Sequence, residues 1–157
     1  MIQAFFQTIE GTAFIEWFLI SMWGFPTFIA LHSVGMAIVV GLSLVLALRY
    51  FNLAMELQLK TYLLLAKVAW YGFFVNLITG VALLASKISE YIIDPTFLIK
   101  LGLVFSAAVG LRILHLDLLG IKVIPSVSRK KIAVLTVLLW FGAIIAGRWI
   151  AYLSRIY

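Results

Sequence analysis

The chain contains no cysteine, two histidines, three prolines and six acidic residues against twelve basic ones. Without cysteine there is no disulfide, thiolate zinc site, iron–sulfur cluster or covalently attached c-type haem, so any metal must be held by imidazole, carboxylate or weaker ligands. Charge is scarce throughout: 11% of the 157 residues are charged and 65% are hydrophobic, with a mean hydropathy of +1.17. No soluble domain of this length hides so much apolar surface, so the solvent for most of the chain is a bilayer.

A hydrocarbon layer of about 30 Å needs roughly 20 apolar residues in a helix. Four runs meet that length, at about 25–48, 62–86, 97–118 and 132–153. Backbone polar groups in lipid must be satisfied within the structure, and the alternating polarity of membrane strands is nowhere visible, so the spans are read as helices. The expected fold is all-α: an integral membrane four-helix bundle forming a single transmembrane domain over 1–157, with an interfacial amphipathic helix at about 2–20. That helix is read from Ile2, Phe5, Phe6 and Ile9 recurring at helical spacing against Gln3, Gln7 and Glu10. A rival reading runs one longer helix from about Thr12 into the first span. The first twenty residues lack the basic start and small-residue cleavage site of a secretory signal and are expected to be retained.

Gly24 and Pro26 mark the turn into the first span, Asp94 and Pro95 open the third, and Pro125 with Ser126 and Ser128 marks the last loop. Arg49 and Lys60 flank the first connection, and Lys122, Arg129, Lys130 and Lys131 crowd the third, which places both loops in the cytoplasm. Glu10, Glu16, Glu90 and Asp94 gather on the other side, with only Lys87 and Arg155 for company. Both termini are therefore expected outside, with the chain in a bacterial inner membrane. The net charge of +6 follows from this topology and suits anionic lipid, not nucleic acid.

Ionisable side chains within hydrocarbon are expensive, so each is a functional candidate unless it can snorkel. With midplanes taken at span centres, His32 lies roughly 6 Å outward, Lys100 roughly 10 Å and Arg148 roughly 7 Å, with Asn76 and Thr79 between the midplane and that level. One polar layer thus draws on all four helices. Gly35, at i+3 from His32, shares its face and is expected to leave room for a flat ligand beside the imidazole. The cofactor-binding set is His32, Gly35, Asn76, Thr79, Lys100 and Arg148, with His32 the metal ligand. His32 has three readings: a metal or haem ligand, a proton-transfer or quinone contact, and a hydrogen-bonded structural histidine. Arg148, Trp149 and Tyr152 also suit the headgroup level, where Trp17 and Trp23 are expected as well. A second layer, Lys67, Arg112, His115 and Asp117, lies toward the cytoplasm and reads first as snorkelling and bundle glue. His32 and His115 differ by roughly 18 Å in depth, which argues against one haem ligated by both.

The segments FIALHSVGMAIVVGLSLVLALRYFN, AWYGFFVNLITGVALLAS, DPTFLIKLGLVFSAAVG and GRWIAY resemble an uncharacterised bacterial family of four-helix membrane proteins. More distantly, a first-span histidine followed by a lysine early in the third span is similar to HemJ-type protoporphyrinogen oxidases and to CopD-type copper-resistance membrane domains. The HemJ likeness implies a bundle that binds haem b or porphyrin through His32 and Lys100. The chain departs from that pattern in the neutral stretch Gly41–Leu48 before Arg49. Copper transport is disfavoured by the missing cysteines and by Met1, Met22, Met36 and Met55, which form no motif suited to soft Cu(I). No span is broken by an internal Gly/Pro pair as in many transporters. The leading expectation is a haem b protein serving electron transfer or as a membrane subunit of a redox complex. A non-catalytic assembly or anchoring subunit and a porphyrin- or quinone-linked oxidase are the alternatives. Expected partners are the bilayer, other membrane subunits or further copies of the chain, and a quinone.

Overall fold

The computed structural model describes residues 2–53 and 57–153. Seven helices follow one another: α1 (Ile2–Glu10), α2 (Ala13–Ile20), α3 (Gly24–Tyr50), α4 (Leu59–Ala85), α5 (Ile88–Tyr91), α6 (Pro95–Leu118) and α7 (Ser126–Leu153). No strand occurs among the described residues. Helices α3, α4, α6 and α7 are long and apolar enough to cross a membrane, which makes the chain an all-α, multi-pass membrane protein. Each begins one to six residues before its apolar run.

The amino-terminal region is two short helices, not one. Gly11 and Thr12 break the register, and the Thr12 side chain caps back onto the Ile9 carbonyl at 2.9 Å. The continuous helix from Thr12 is not formed either, since Ser21 ends α2 and its Oγ accepts from the N–H groups of Trp23 and Gly24. Helix α2 does not simply lie on lipid: Ile15 and Phe18 are buried, and Phe18 meets Phe28 edge-on at 5.1 Å and Phe25 at 5.7 Å. Such aromatic pairs stabilise by about 0.5–1.5 kcal/mol each beyond the area they bury. Arg155, placed outside by its sequence position, lies beyond the described residues.

Local chemistry sets the helix ends. Asp94 caps α6 by accepting from Thr96 N–H at 2.8 Å, with Pro95 at the first helical position. Helices α3 and α6 both close in Schellman motifs. Asn52 at φ 61° and Gly120 at φ 72° take the left-handed residue, and Leu53 N–H reaches the Leu48 carbonyl as Ile121 N–H reaches that of Leu116.

Helix α3 packs most closely on α4 and α6 on α7, α3 joins the two pairs through α7, and α4 meets α6 over much less surface. The core runs between them through Val39, Leu46, Tyr62, Ala66, Ala69, Leu111 and Trp140. Lipid tails give helices little hydrophobic reason to associate, so close backbone approach matters. A Cβ on Gly35 would stand 2.9 Å from the Gly72 carbonyl oxygen and 3.0 Å from Asn76 N. Both obstacles are backbone and cannot swing aside. Gly35→Ala is therefore expected to cost about 1–3 kcal/mol in thermal or denaturant unfolding in detergent. Gly41→Ala, with no atom within 4 Å, should be neutral or slightly stabilising.

Candidate functional site

His32 stands in the third turn of α3, directly across from α4. Its Nδ1 is 3.1 Å from the Asn76 carbonyl oxygen and 3.0 Å from Thr79 Oγ1. A carbonyl only accepts, and the Thr79 hydroxyl spends its own hydrogen on the Val75 carbonyl at 2.7 Å. In the neutral ring the proton is therefore on Nδ1, and Nε2 carries the lone pair. Asn76 completes the clasp by donating from Nδ2 to the His32 carbonyl at 2.9 Å. No hydrogen bond reaches Nε2 among the described residues.

The ring lines a cleft of about 600 Å³, bounded also by Phe25, Gly80, Tyr91, Phe97 and Lys100. That volume falls within the roughly 300–1,000 Å³ usual for small-molecule sites. All four long helices contribute, α7 through Gly147 and Ile150. A Cβ on Gly80 would come within 3.2 Å of His32 Cε1, and one on Gly147 within 3.4 Å of Lys100 Nζ. Tyr91 and Phe97 stack with centroids 5.8 Å apart. Lys100 is half-buried and has neither a carboxylate nor a hydrogen-bond partner among the described residues, whereas Lys87, on the rim, is paired with Glu90 at 3.2 Å.

The sequence-derived set separates into three groups. His32 and Lys100 line the cleft together. Asn76 and Thr79 are buried behind the imidazole and hold it. Gly35 and Arg148 are not on the cleft wall: the space left by Gly35 is filled by α4, and Arg148 is exposed. Gly80 supplies the room expected of Gly35, and Gly147, one residue before Arg148, is the α7 position that faces in. Gly80, Gly147 and the aromatic rim went unnoticed in the sequence. One available signal was Gly80 following Thr79 on the helix that faces His32.

The inner layer is a separate structure. Trp70 Nε1 donates to His115 Nδ1 at 3.2 Å, so the His115 proton is on Nε2, the opposite tautomer to that of His32. That nitrogen is buried with no partner among the described residues. The α4 residues that hold the two histidines, Trp70 against Asn76 and Thr79, are six to nine positions apart, roughly 9–14 Å of rise. Asp117, its side chain only 5% exposed, is ion-paired with Arg129 at 3.2 Å and accepts from the Tyr50 hydroxyl and from Ile124 N–H. It ties α3, the last loop and α7 to α6, while Lys67 and Arg112 are exposed. No known protein-family model, curated protein or solved structure matches the chain.

A second tie closes the cleft end, where Glu10 accepts from Ser89 Oγ at 2.7 Å and from Ser89 N–H at 2.9 Å, joining α1 to α5. These bonds hold the Glu10 carboxyl below the usual carboxylate range. A depressed carboxylate contributes stability above its unfolded pKa, roughly 4.3, and loses it as pH falls through the folded value. Hydrogen exchange of α1 and α5 should accordingly rise, beyond its intrinsic pH dependence, as pH is lowered through that range. Glu10→Gln should remove the pH dependence. Asp117→Ala, which strands Ile124 N–H and removes the counter-charge of Arg129 while the Tyr50 hydroxyl keeps the Leu114 carbonyl, is expected to cost about 2–3 kcal/mol in unfolding.

Proposed function

We propose that this protein is a small haem b-binding membrane protein, with His32 Nε2 as the axial iron ligand, acting in electron transfer or as the membrane subunit of a larger redox complex. The observation that carries the reading is the pair of acceptors at His32 Nδ1, the Asn76 carbonyl and the Thr79 hydroxyl oxygen, which assigns the ring proton to that nitrogen. Metal-ligating histidines characteristically donate their second ring N–H to a carbonyl or carboxylate, which fixes the ring and raises its basicity. Asn76 provides that acceptor. Among the described residues no three His, Cys, Asp or Glu side chains come together, and a porphyrin, which brings four nitrogens of its own, asks the protein only for axial ligation.

The remaining walls suit the same ligand. Phe25, Phe97 and Ile150 offer an apolar face and keep water from the ring edge. Lys100, without a carboxylate of its own, is placed for a propionate, and Lys87 stands at the mouth beside Glu90. The first-span histidine and early third-span lysine of HemJ-type proteins point the same way. A quinone carbonyl finds no donor at His32 Nε2, which offers a lone pair, and would have to rely on Lys100 instead. The cations at the end of α3 and the start of α7 support a cytoplasmic position for that end of the bundle, with the cleft on the outer side of an inner membrane.

An absorption spectrum of the full-length protein, purified in detergent after expression with ample haem, tests the reading. A Soret band near one haem per chain is expected, lost in His32→Ala and kept in His115→Ala. Asn76→Ala should weaken haem binding about 10- to 100-fold. A featureless wild-type spectrum would overturn the proposal and leave a packing subunit as the better account.

A further inference from the structure

At the end of the bundle remote from the cleft, cations gather that the His32 site does not use. A cavity of about 400 Å³ lies between the end of α3 and the first turn of α7, walled by Arg49, Tyr50, Asn52, Ser126, Arg129 and Lys130 and closed on the α4 side by Leu57 and Leu59, and no carboxylate lines it among the described residues. Arg129 is the one lining cation with an anionic neighbour among the described residues, and its Nε, 3.2 Å from Asp117, is buried without an aligned hydrogen bond. Arg49 instead lies over the Tyr62 ring, 4.3 Å from its centroid, and Lys130 stands 5.8 Å from that of Phe51. The cavity also receives the amino-terminal end of α7. The Arg129 N–H bonds to the Pro125 carbonyl at 3.0 Å, and no side chain among the described residues caps the N–H groups before it. Several cations and a helix dipole therefore converge on one space.

Topology alone would account for basic residues at this level, but not for what adjoins them. Lys130 also belongs to an apolar groove with Phe51, Lys131, Val134, Leu135 and Leu138. Positions 131, 134, 135 and 138 share one face of α7, so the groove leaves the basic cavity and runs along the helix toward the middle of the span. A polar, cation-walled chamber continuous with an apolar channel has the form of a phospholipid.

We propose that this is a binding site for an anionic phospholipid, its phosphate held by Arg49, Arg129, Lys130 and the start of α7, and one acyl chain laid along Val134, Leu135 and Leu138. A zwitterionic lipid brings an ammonium group that these cations repel, so the site selects by headgroup charge. The site stands apart from the His32 cleft and is independent of what the cleft binds.

Native mass spectrometry of the full chain tests this with phosphatidylglycerol and phosphatidylcholine of identical chains, titrated singly and in competition. Phosphatidylglycerol should bind about tenfold more tightly or better, and Lys130→Gln should weaken it about fivefold. Lys122→Gln, in the same loop region but off the cavity wall, should leave binding unchanged, while Leu138→Trp, filling the groove at an exposed position, should weaken it. Equal binding of the two lipids in the wild-type protein would overturn the proposal without recourse to any variant. Equal losses in Lys130→Gln and Lys122→Gln would also overturn it, assigning the preference to diffuse surface charge. Displacement of the lipid by inorganic phosphate, with Leu138→Trp unaffected, would make the cavity a free-phosphate site instead.

Discussion

The backbones of α3 and α4 meet at Gly35 and Gly72, and the cleft end of the molecule is arranged by that contact. With no Cβ on either residue, a Gly35 substituent being denied space by the Gly72 carbonyl and Asn76 N, the helices close until Asn76 can bond the His32 carbonyl and His32 the Asn76 carbonyl. In lipid such a reciprocal pair has no water to compete with it, and a lost partner cannot be replaced from solvent. The same clasp fixes the imidazole, leaving one nitrogen engaged and the other available. Packing and chemistry at this site thus have a single origin, a crossing too close for any residue but glycine.

The two histidines show how position on a shared scaffold sets role. Both are held by α4, yet His32 donates through Nδ1 and faces a cleft, whereas His115 accepts at Nδ1 from Trp70 and keeps its other nitrogen buried. Around His115 the neighbouring polar groups serve architecture, with Asp117 gathering Tyr50, Ile124 and Arg129 into one junction. Charge follows the same division. Among the described residues the Asp117 end carries cations in excess of their partners, while at the cleft end three carboxylates are engaged, in a cap at Asp94, an interhelical tie at Glu10 and an ion pair at Glu90.

Most of the fold was legible because membrane helices announce themselves by length and hydropathy. Their boundaries were legible where a side chain sets them, as at Asp94-Pro95 and Pro125. The break at Gly11 and Thr12 was harder to see, since α1 and α2 are both apolar enough to read as one helix and the turn that separates them is a single Gly-Thr pair closed by the Thr12 side chain. Depth along the helices brought His32, Asn76, Thr79 and Lys100 to one level, as rise per residue allows. Rotation about the helix axis was the missing coordinate. It turned Gly35 into α4 and Arg148 outward, and set Gly80 and Gly147 on the cleft wall, because a single residue step changes direction by about 100°.

The central claim is that His32 is held as a neutral ring with its proton on Nδ1, and nitrogen NMR of the full-length protein labelled at histidine tests it most directly. The account predicts a protonated Nδ1 and an unprotonated Nε2 for His32, with the reverse pattern for His115. A His32 ring that carries its proton on Nε2 would contradict it, since the nitrogen facing the cleft would then be a donor with no lone pair for a metal.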